Sequence, residues 1–80
     1  MLMVGGTRAH AGTGTPVIYN ITFRWRGNGW TWHGEVVLPD GKRLRLPVGM
    51  VPNIAKDRIT SEIPWVVSTA IDALDVEALK

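Results

Sequence analysis

The sequence contains no cysteine and no long apolar run. Without cysteine the chain cannot form a disulfide bond, a thiolate nucleophile or a cysteine-ligated zinc site. No segment approaches the roughly 20 apolar residues of a membrane-spanning helix, and the first residues lack the basic and apolar regions of a signal peptide. We therefore expect a cytoplasmic protein without membrane contact, whose stability comes from packing or from a partner.

Other groups that carry chemistry are also scarce. Because His10 and His33 are the only histidines, a histidine metal site is not expected. The segment Gly12-Thr13-Gly14-Thr15 lacks the Gly-Lys-Ser/Thr ending of a phosphate-binding loop. The sequence therefore predicts no metal, no cofactor and no catalytic residue, and we expect a protein that is not an enzyme.

The length of the chain and the composition of its first part indicate a single domain with a tail. Eighty residues leave no room for two independent cores. Residues 1–15 are rich in glycine, threonine and alanine without apolar periodicity, which predicts a flexible segment. The domain is therefore expected to span residues 16–80.

Three segments alternate between apolar and polar residues with the period of a β-strand, at residues 17–26, 30–38 and 42–48. Asn28-Gly29 predicts a two-residue type I′ turn, and Pro39-Asp40-Gly41 predicts a three-residue loop with its glycine in the left-handed conformation. Together these features predict an antiparallel meander.

The two turns fix a register, which separates the side chains into two faces. The predicted pairs are Trp25 with Trp32, Phe23 with Gly34, Ile21 with Val36, Val36 with Leu44, and Trp32 with Val48, which places Val48 on the core side. In this register the Phe23 ring covers Gly34, an arrangement that compensates for a glycine in a strand. The tryptophans Trp25, Trp30 and Trp32 then belong to the core, which we favour over an exposed platform for stacked bases.

A helical pattern follows the strands. Thr60 or Ser61 can cap the helix, and Pro64 is tolerated in the first turn, so the helix is expected from about residue 61 to 74, with 79 as its furthest end. The apolar stripe at helical spacing consists of Ile63, Val66, Val67, Ala70, Ile71, Leu74 and Ala78. The predicted fold is α+β in the order β-β-β-α, with the helix on the tryptophan face.

Charge is distributed unevenly along the chain. Residues 1–60 carry eight Lys/Arg and three Asp/Glu, a net charge of +5, whereas residues 61–80 have a net charge of −3. The predicted register gathers Arg24, Arg26, Arg43, Arg45 and His33 on the face that the helix leaves open. Guanidinium groups bind phosphate oxygens in pairs, so we predict a non-catalytic module that contacts nucleic acid there. The alternative is a solvated face with Glu35 paired to Arg45.

The order β-β-β-α resembles that of the double-stranded RNA-binding domain, at the level of element order only. Such domains begin with a further helix and carry a lysine cluster at the start of the last helix. Here residues 1–15 show no helical pattern, and the segment before the last helix offers only Lys56 and Arg58. The resemblance therefore implies no membership and no residue roles.

Two further surfaces suggest a protein partner. The strand at 17–26 has an edge without an internal proline, whereas Pro47 interrupts the third strand, so self-association through the first edge is an alternative function. On the helix, Trp65, Val76 and Leu79 lie opposite the apolar stripe and form a candidate partner surface.

A remote alternative is metal-free cleavage of RNA. His33 and Glu35 would supply the base and the acid, and Arg24 and Arg45 would hold the phosphate. No catalytic motif accompanies this grouping.

Overall fold

The structure, a computed structural model, describes residues 1–74. An antiparallel sheet of five strands precedes one α-helix. The strands are β1 (Leu2–Ala9), β2 (Pro16–Trp25), β3 (Gly29–Val37), β4 (Arg43–Arg45) and β5 (Gly49–Pro52), and a 3-10 turn (Lys56–Arg58) leads into α1 (Ile59–Asp72). The α+β class and the order of strands before a C-terminal helix are confirmed. No helix within residues 1–74 has the length and apolar character needed to cross a membrane.

The hairpin between β2 and β3 has the predicted faces but a different register. Trp25 lies opposite Trp30, and Phe23 lies opposite Trp32, so the pairing is shifted by two residues from the prediction. The Arg26 N–H donates to the Gly29 carbonyl at 2.8 Å, and Gly27 has a φ of 88°. The predicted type I′ turn at Asn28-Gly29 is therefore wrong. Because side chains alternate with period two, a shift of two residues leaves every side chain on its predicted face.

The second hairpin has the predicted register. Val36 lies opposite Leu44, the Leu38 N–H donates to the Lys42 carbonyl at 2.8 Å, and Gly41 has a φ of 89°. A left-handed residue at this point closes a three-residue loop, and glycine adopts that conformation without a steric cost.

The third predicted strand is divided by a bulge. The register from β3 to β4 places Val36 against Leu44, whereas the register from β3 to β5 places Trp32 against Gly49. One extra residue therefore separates β4 from β5, which is the definition of a β-bulge. Val48 lies in the bulge and is 76% exposed, so the predicted pair of Trp32 with Val48 does not form.

The first residues form a strand, where the sequence predicted a flexible tail over residues 1–15. β1 pairs along its whole length with β2, from Leu2 opposite Phe23 to Ala9 opposite Pro16. Gly6 accommodates the Tyr19 ring, because a Cβ at Gly6 would lie 2.7 Å from the Tyr19 hydroxyl oxygen. Two adjacent glycines, Gly5 and Gly6, interrupt the strand pattern in the sequence. Backbone pairing and the packing of the Tyr19 ring compensate for them.

The turn between β1 and β2 is built around one histidine. The His10 side chain is buried, and its Nδ1 accepts hydrogen bonds from the backbone N–H groups of Gly12 at 3.1 Å and Thr13 at 3.2 Å. The Ala11 N–H donates to the Asp72 carboxylate at 3.1 Å. A hydrogen bond therefore links this turn to the last turn of α1.

Helix α1 buries the predicted apolar stripe against the sheet. The buried core consists of Val17, Ile21, Phe23, Trp30, Trp32, Val36, Leu38, Leu46, Val51, Ile59, Val66, Val67, Ala70 and Ile71. A helix of 14 residues is marginal alone in water, and each buried valine or isoleucine contributes about 1.5–3 kcal/mol. Packing therefore holds α1 in place. Ala78 of the predicted stripe lies outside the described residues.

The start of α1 differs from the prediction by two residues. The helix begins at Ile59 and has no side-chain cap; Ser61 instead donates to the Arg58 carbonyl at 2.8 Å. The preceding 3-10 turn continues into the helix, and the Trp30 indole N–H fixes that turn by donating to the Lys56 carbonyl at 3.2 Å. Pro64 consequently lies in the second turn rather than the first.

Candidate nucleic-acid interface

The face of the sheet opposite α1, the open face, carries the predicted basic residues. All five of them are exposed: Arg24, Arg26, His33, Arg43 and Arg45. They share the face because β2, β3 and β4 keep the predicted alternation. With Glu35, the arginines give the face a net charge of +3 at neutral pH.

The four arginines form two pairs, Arg24 with Arg26 and Arg43 with Arg45. The two pairs do not converge on one point. Arg24 of β2 lies opposite Thr31 of β3, whereas Arg45 of β4 lies opposite Glu35, four residues further along β3. β2 and β4 pair with opposite edges of β3. At strand spacings of about 4.8 Å and a rise of about 3.3 Å per residue, the Cα atoms of Arg24 and Arg45 are about 16 Å apart. Phosphates bound at both pairs would therefore belong to separated positions of a polyanion.

The arginines differ in their contacts. The Arg26 Nε donates to the Thr31 hydroxyl at 3.3 Å, and an Arg43 guanidinium nitrogen lies 3.6 Å from a Glu35 carboxylate oxygen. Within residues 1–74 no side-chain hydrogen bond or ion pair involves Arg24 or Arg45. Glu35 therefore pairs with Arg43 in place of the predicted Arg45.

An open depression of about 560 Å³ lies between the two arginine pairs. His33, Thr22 and Asn20 contribute polar groups to it, and Met3 and Val48 contribute apolar ones. Met3 differs from the sequence prediction because residues 2–9 form a strand and not a tail. Val48 differs because the bulge turns it away from the predicted core side. The run of four apolar residues at positions 1–4 was the available signal for β1.

Gly34 lines this depression. The predicted cover by the Phe23 ring does not explain the glycine at this position. Gly34 is opposite Ile21, and a Cβ on Gly34 would run into the Asn20 carbonyl oxygen and lie 2.9 Å from the Ile21 Cα. The backbone of β2 therefore excludes any side chain at this position. A glycine in a strand often marks such a close approach of another backbone.

The three tryptophans of the sheet lie on the predicted core face. Trp30 and Trp32 are buried, and Trp25 packs against the Trp30 ring with centroids 5.6 Å apart. Trp65 is 57% exposed on α1. Its predicted companions Val76 and Leu79 lie outside the described residues.

The edge of β2 proposed for self-association is not free. β1 pairs with it over eight positions, so the prediction of a partner at strand 17–26 is wrong. In the described part of the chain β1 pairs with β2 alone, and the outer edge of β1 contains no proline.

Comparisons with known proteins identify no relative. No family model, no curated protein and no solved structure matches the chain. The sheet also begins with β1, where a double-stranded RNA-binding domain begins with a helix.

Proposed function

We propose that the protein is a small non-catalytic module that binds nucleic acid through its open face. The observation that carries the proposal is the exposure of Arg24, Arg26, Arg43 and Arg45 on one sheet face that neither α1 nor any other described element covers. Arginine keeps its charge at physiological pH and presents planar donors that match phosphate oxygens.

The contacts of the open face leave its arginines available. Arg24 and Arg45 have no protein partner among residues 1–74. The Arg43 to Glu35 pair has side-chain exposures of 72% and 47%, and an exposed pair of this kind contributes at most about 1 kcal/mol. A phosphate can therefore replace Glu35 at little cost.

Titration of fluorescent duplex and single-stranded oligonucleotides, followed by anisotropy at low and moderate salt, tests the proposal. Binding should weaken as salt rises, because phosphate contacts release counterions. The double variant Arg24→Gln/Arg45→Gln removes one arginine from each pair and should reduce the slope of log K against log salt by about 1.4 to 1.8, equivalent to two phosphate contacts.

The matched control is Lys56→Gln/Arg58→Gln, which removes the same charge at the 3-10 turn, outside the open face. This control should retain most of the wild-type affinity. An absence of binding at low salt, or equal losses in the two double variants, contradicts the proposal. Electrophoresis of RNA incubated with the protein also tests the remote alternative, since intact RNA excludes cleavage by His33 and Glu35.

A second candidate function is self-association. It is favoured by the outer edge of β1, which has no partner strand within residues 1–74 and contains no proline or lysine over Leu2–Ala9. Sedimentation at increasing protein concentration tests it, and a strict monomer at the highest concentration excludes this function. A dimer that Thr7→Pro abolishes without unfolding the chain supports it.

A further inference from the structure

The depression on the open face has apolar sides and a polar floor. Met3 and Val48 stand at opposite sides, 65% and 76% exposed. Thr22 and His33 lie between them as a cross-strand pair, with Asn20 and Glu35 as the next pair along the same two strands. Within the described residues, no side-chain hydrogen bond of Asn20, Thr22 or His33 to the protein is present.

Two separate features of the fold make this depression. β1 brings Met3 beside Thr22, and the bulge between β4 and β5 turns Val48 outward. Neither feature is required to display arginines, since the alternation of β2, β3 and β4 alone does that. The shape of the depression is therefore independent of the arginine pairs, although Arg45 lines it.

The chemistry of the depression matches that of an unpaired nucleobase. A base has two apolar faces and a polar edge. Methionine and valine side chains offer apolar contact, and an exposed imidazole can stack against a base. Asparagine and threonine offer both donors and acceptors to the edge. In a duplex both faces are stacked and the Watson–Crick edge is paired, so a base must be unpaired and unstacked to enter the depression.

The position of the depression also fits a nucleotide within a longer strand. Arg45 lines the depression, while Arg24 lies on β2 two residues beyond Thr22, about 7 Å along the strand. A strand crossing the open face can therefore place one base in the depression and phosphates further along the strand, on either side of that base, at the two arginine pairs.

We infer that the depression holds an unpaired base, and that the nucleic acid bound by this module is single-stranded. This inference rests on the proposed function, since the phosphates of the same strand bind the arginine pairs. It adds selectivity for a single strand over a duplex. The arginines alone cannot supply that selectivity, because both duplex and single strand carry phosphates.

The test compares three fluorescent ligands of equal length by anisotropy with the full chain: a single strand, the same strand with its central bases replaced by abasic sites, and the duplex. Contacts to one base are worth about 1–3 kcal/mol, so the abasic strand should bind about 5-fold to 150-fold more weakly. The duplex should also bind more weakly than the single strand.

A pair of variants locates the effect. Asn20→Ala/Thr22→Val removes two hydrogen-bonding side chains of the depression and should weaken single-strand binding about 10-fold while leaving abasic-strand binding unchanged. The matched control is Thr7→Val, the same loss of a hydroxyl on the open face of β1 outside the depression, which should bind like the wild type. Urea unfolding verifies that each variant is folded.

The outcomes separate the two proposals. Equal affinity for the normal and abasic strands, or a duplex that binds as tightly as the single strand, overturns the inference while the proposed function stands. An absence of binding to all three ligands at low salt overturns both. A loss in Thr7→Val equal to that in Asn20→Ala/Thr22→Val overturns the assignment of the depression.

Discussion

Replacing Gly34 by alanine is expected to destabilise the fold by about 3 kcal/mol, the upper end of the range for overpacked positions. The new Cβ would collide with the Asn20 carbonyl oxygen and lie 2.9 Å from the Ile21 Cα. Both atoms belong to the backbone of β2 and cannot move away by a side-chain rotation. Relief requires β2 and β3 to separate, which weakens the pairing at the centre of the sheet.

Gly5 and Gly6 supply matched controls on β1. A Cβ on Gly5 would lie 3.5 Å from the Tyr19 carbonyl oxygen, an ordinary contact, so Gly5→Ala should leave stability unchanged or raise it by about 0.5 kcal/mol through the unfolded state. A Cβ on Gly6 would meet the Tyr19 ring at 2.7 to 3.3 Å. That ring is half-buried and can shift, so Gly6→Ala should cost about 1–2 kcal/mol.

Urea unfolding followed by tryptophan fluorescence measures the series. For a domain of this size the dependence on urea is about 1 kcal/mol per molar, so Gly34→Ala should lower the midpoint by about 3 M and the control Gly5→Ala by none. A Gly34→Ala midpoint within about 0.5 M of the wild type refutes the close approach of β2. Equal losses at Gly5 and Gly34 refute it as well, because they would reflect a general cost of alanine in the sheet.

Two further predictions concern the N-terminal strand and its link to the helix. Asp72→Ala removes the acceptor of the Ala11 N–H and the ion pair with Arg8, whose side chain is 38% exposed, and should lower the free energy of unfolding by about 1 kcal/mol. Asp72→Asn should lower the free energy of unfolding by less than Asp72→Ala, because its amide oxygen still accepts a hydrogen bond from the Ala11 N–H. Equal losses of stability in urea unfolding contradict this prediction. Amide hydrogen exchange should show alternating protection along β1, because every second N–H of an edge strand points toward its neighbour. Uniformly fast exchange there contradicts the strand.

The division of the sheet into two faces was predictable from the sequence, even though the first turn was not. The faces depend only on whether a residue position is odd or even within a strand, so the error of two residues did not affect them. The actual pairing sets Trp25 against Trp30, whose rings pack in a tilted arrangement at 5.6 Å. The predicted register would also have paired two tryptophans, Trp25 and Trp32, so aromatic pairing alone does not select between the two registers.

Gly29 explains why the sequence predicts a type I′ turn that the structure does not contain. The residue suggested a type I′ turn because glycine is favoured there. In the structure Gly29 begins β3 with no positive φ, and a Cβ would run into the Val51 carbonyl oxygen and lie 2.9 Å from the Pro52 Cα. Glycine is thus needed for the close approach of β5. A single sequence cannot distinguish these two reasons for a glycine, because the second depends on a strand 20 residues away.

The predictable part of the candidate site depends on the local sequence, whereas the rest depends on long-range strand pairing. Arg24 and Arg45 reach the open face through the local alternation of their own strands, which the sequence displays directly. Met3 and Val48 reach the depression through long-range pairing, one because β1 adds to β2 and the other because the register changes between β4 and β5. Charge on this face is therefore a local property of the sequence, whereas the shape that could select one class of nucleic acid depends on the assembled sheet. A variant that frees β1 from β2 should accordingly keep the arginines and lose the depression.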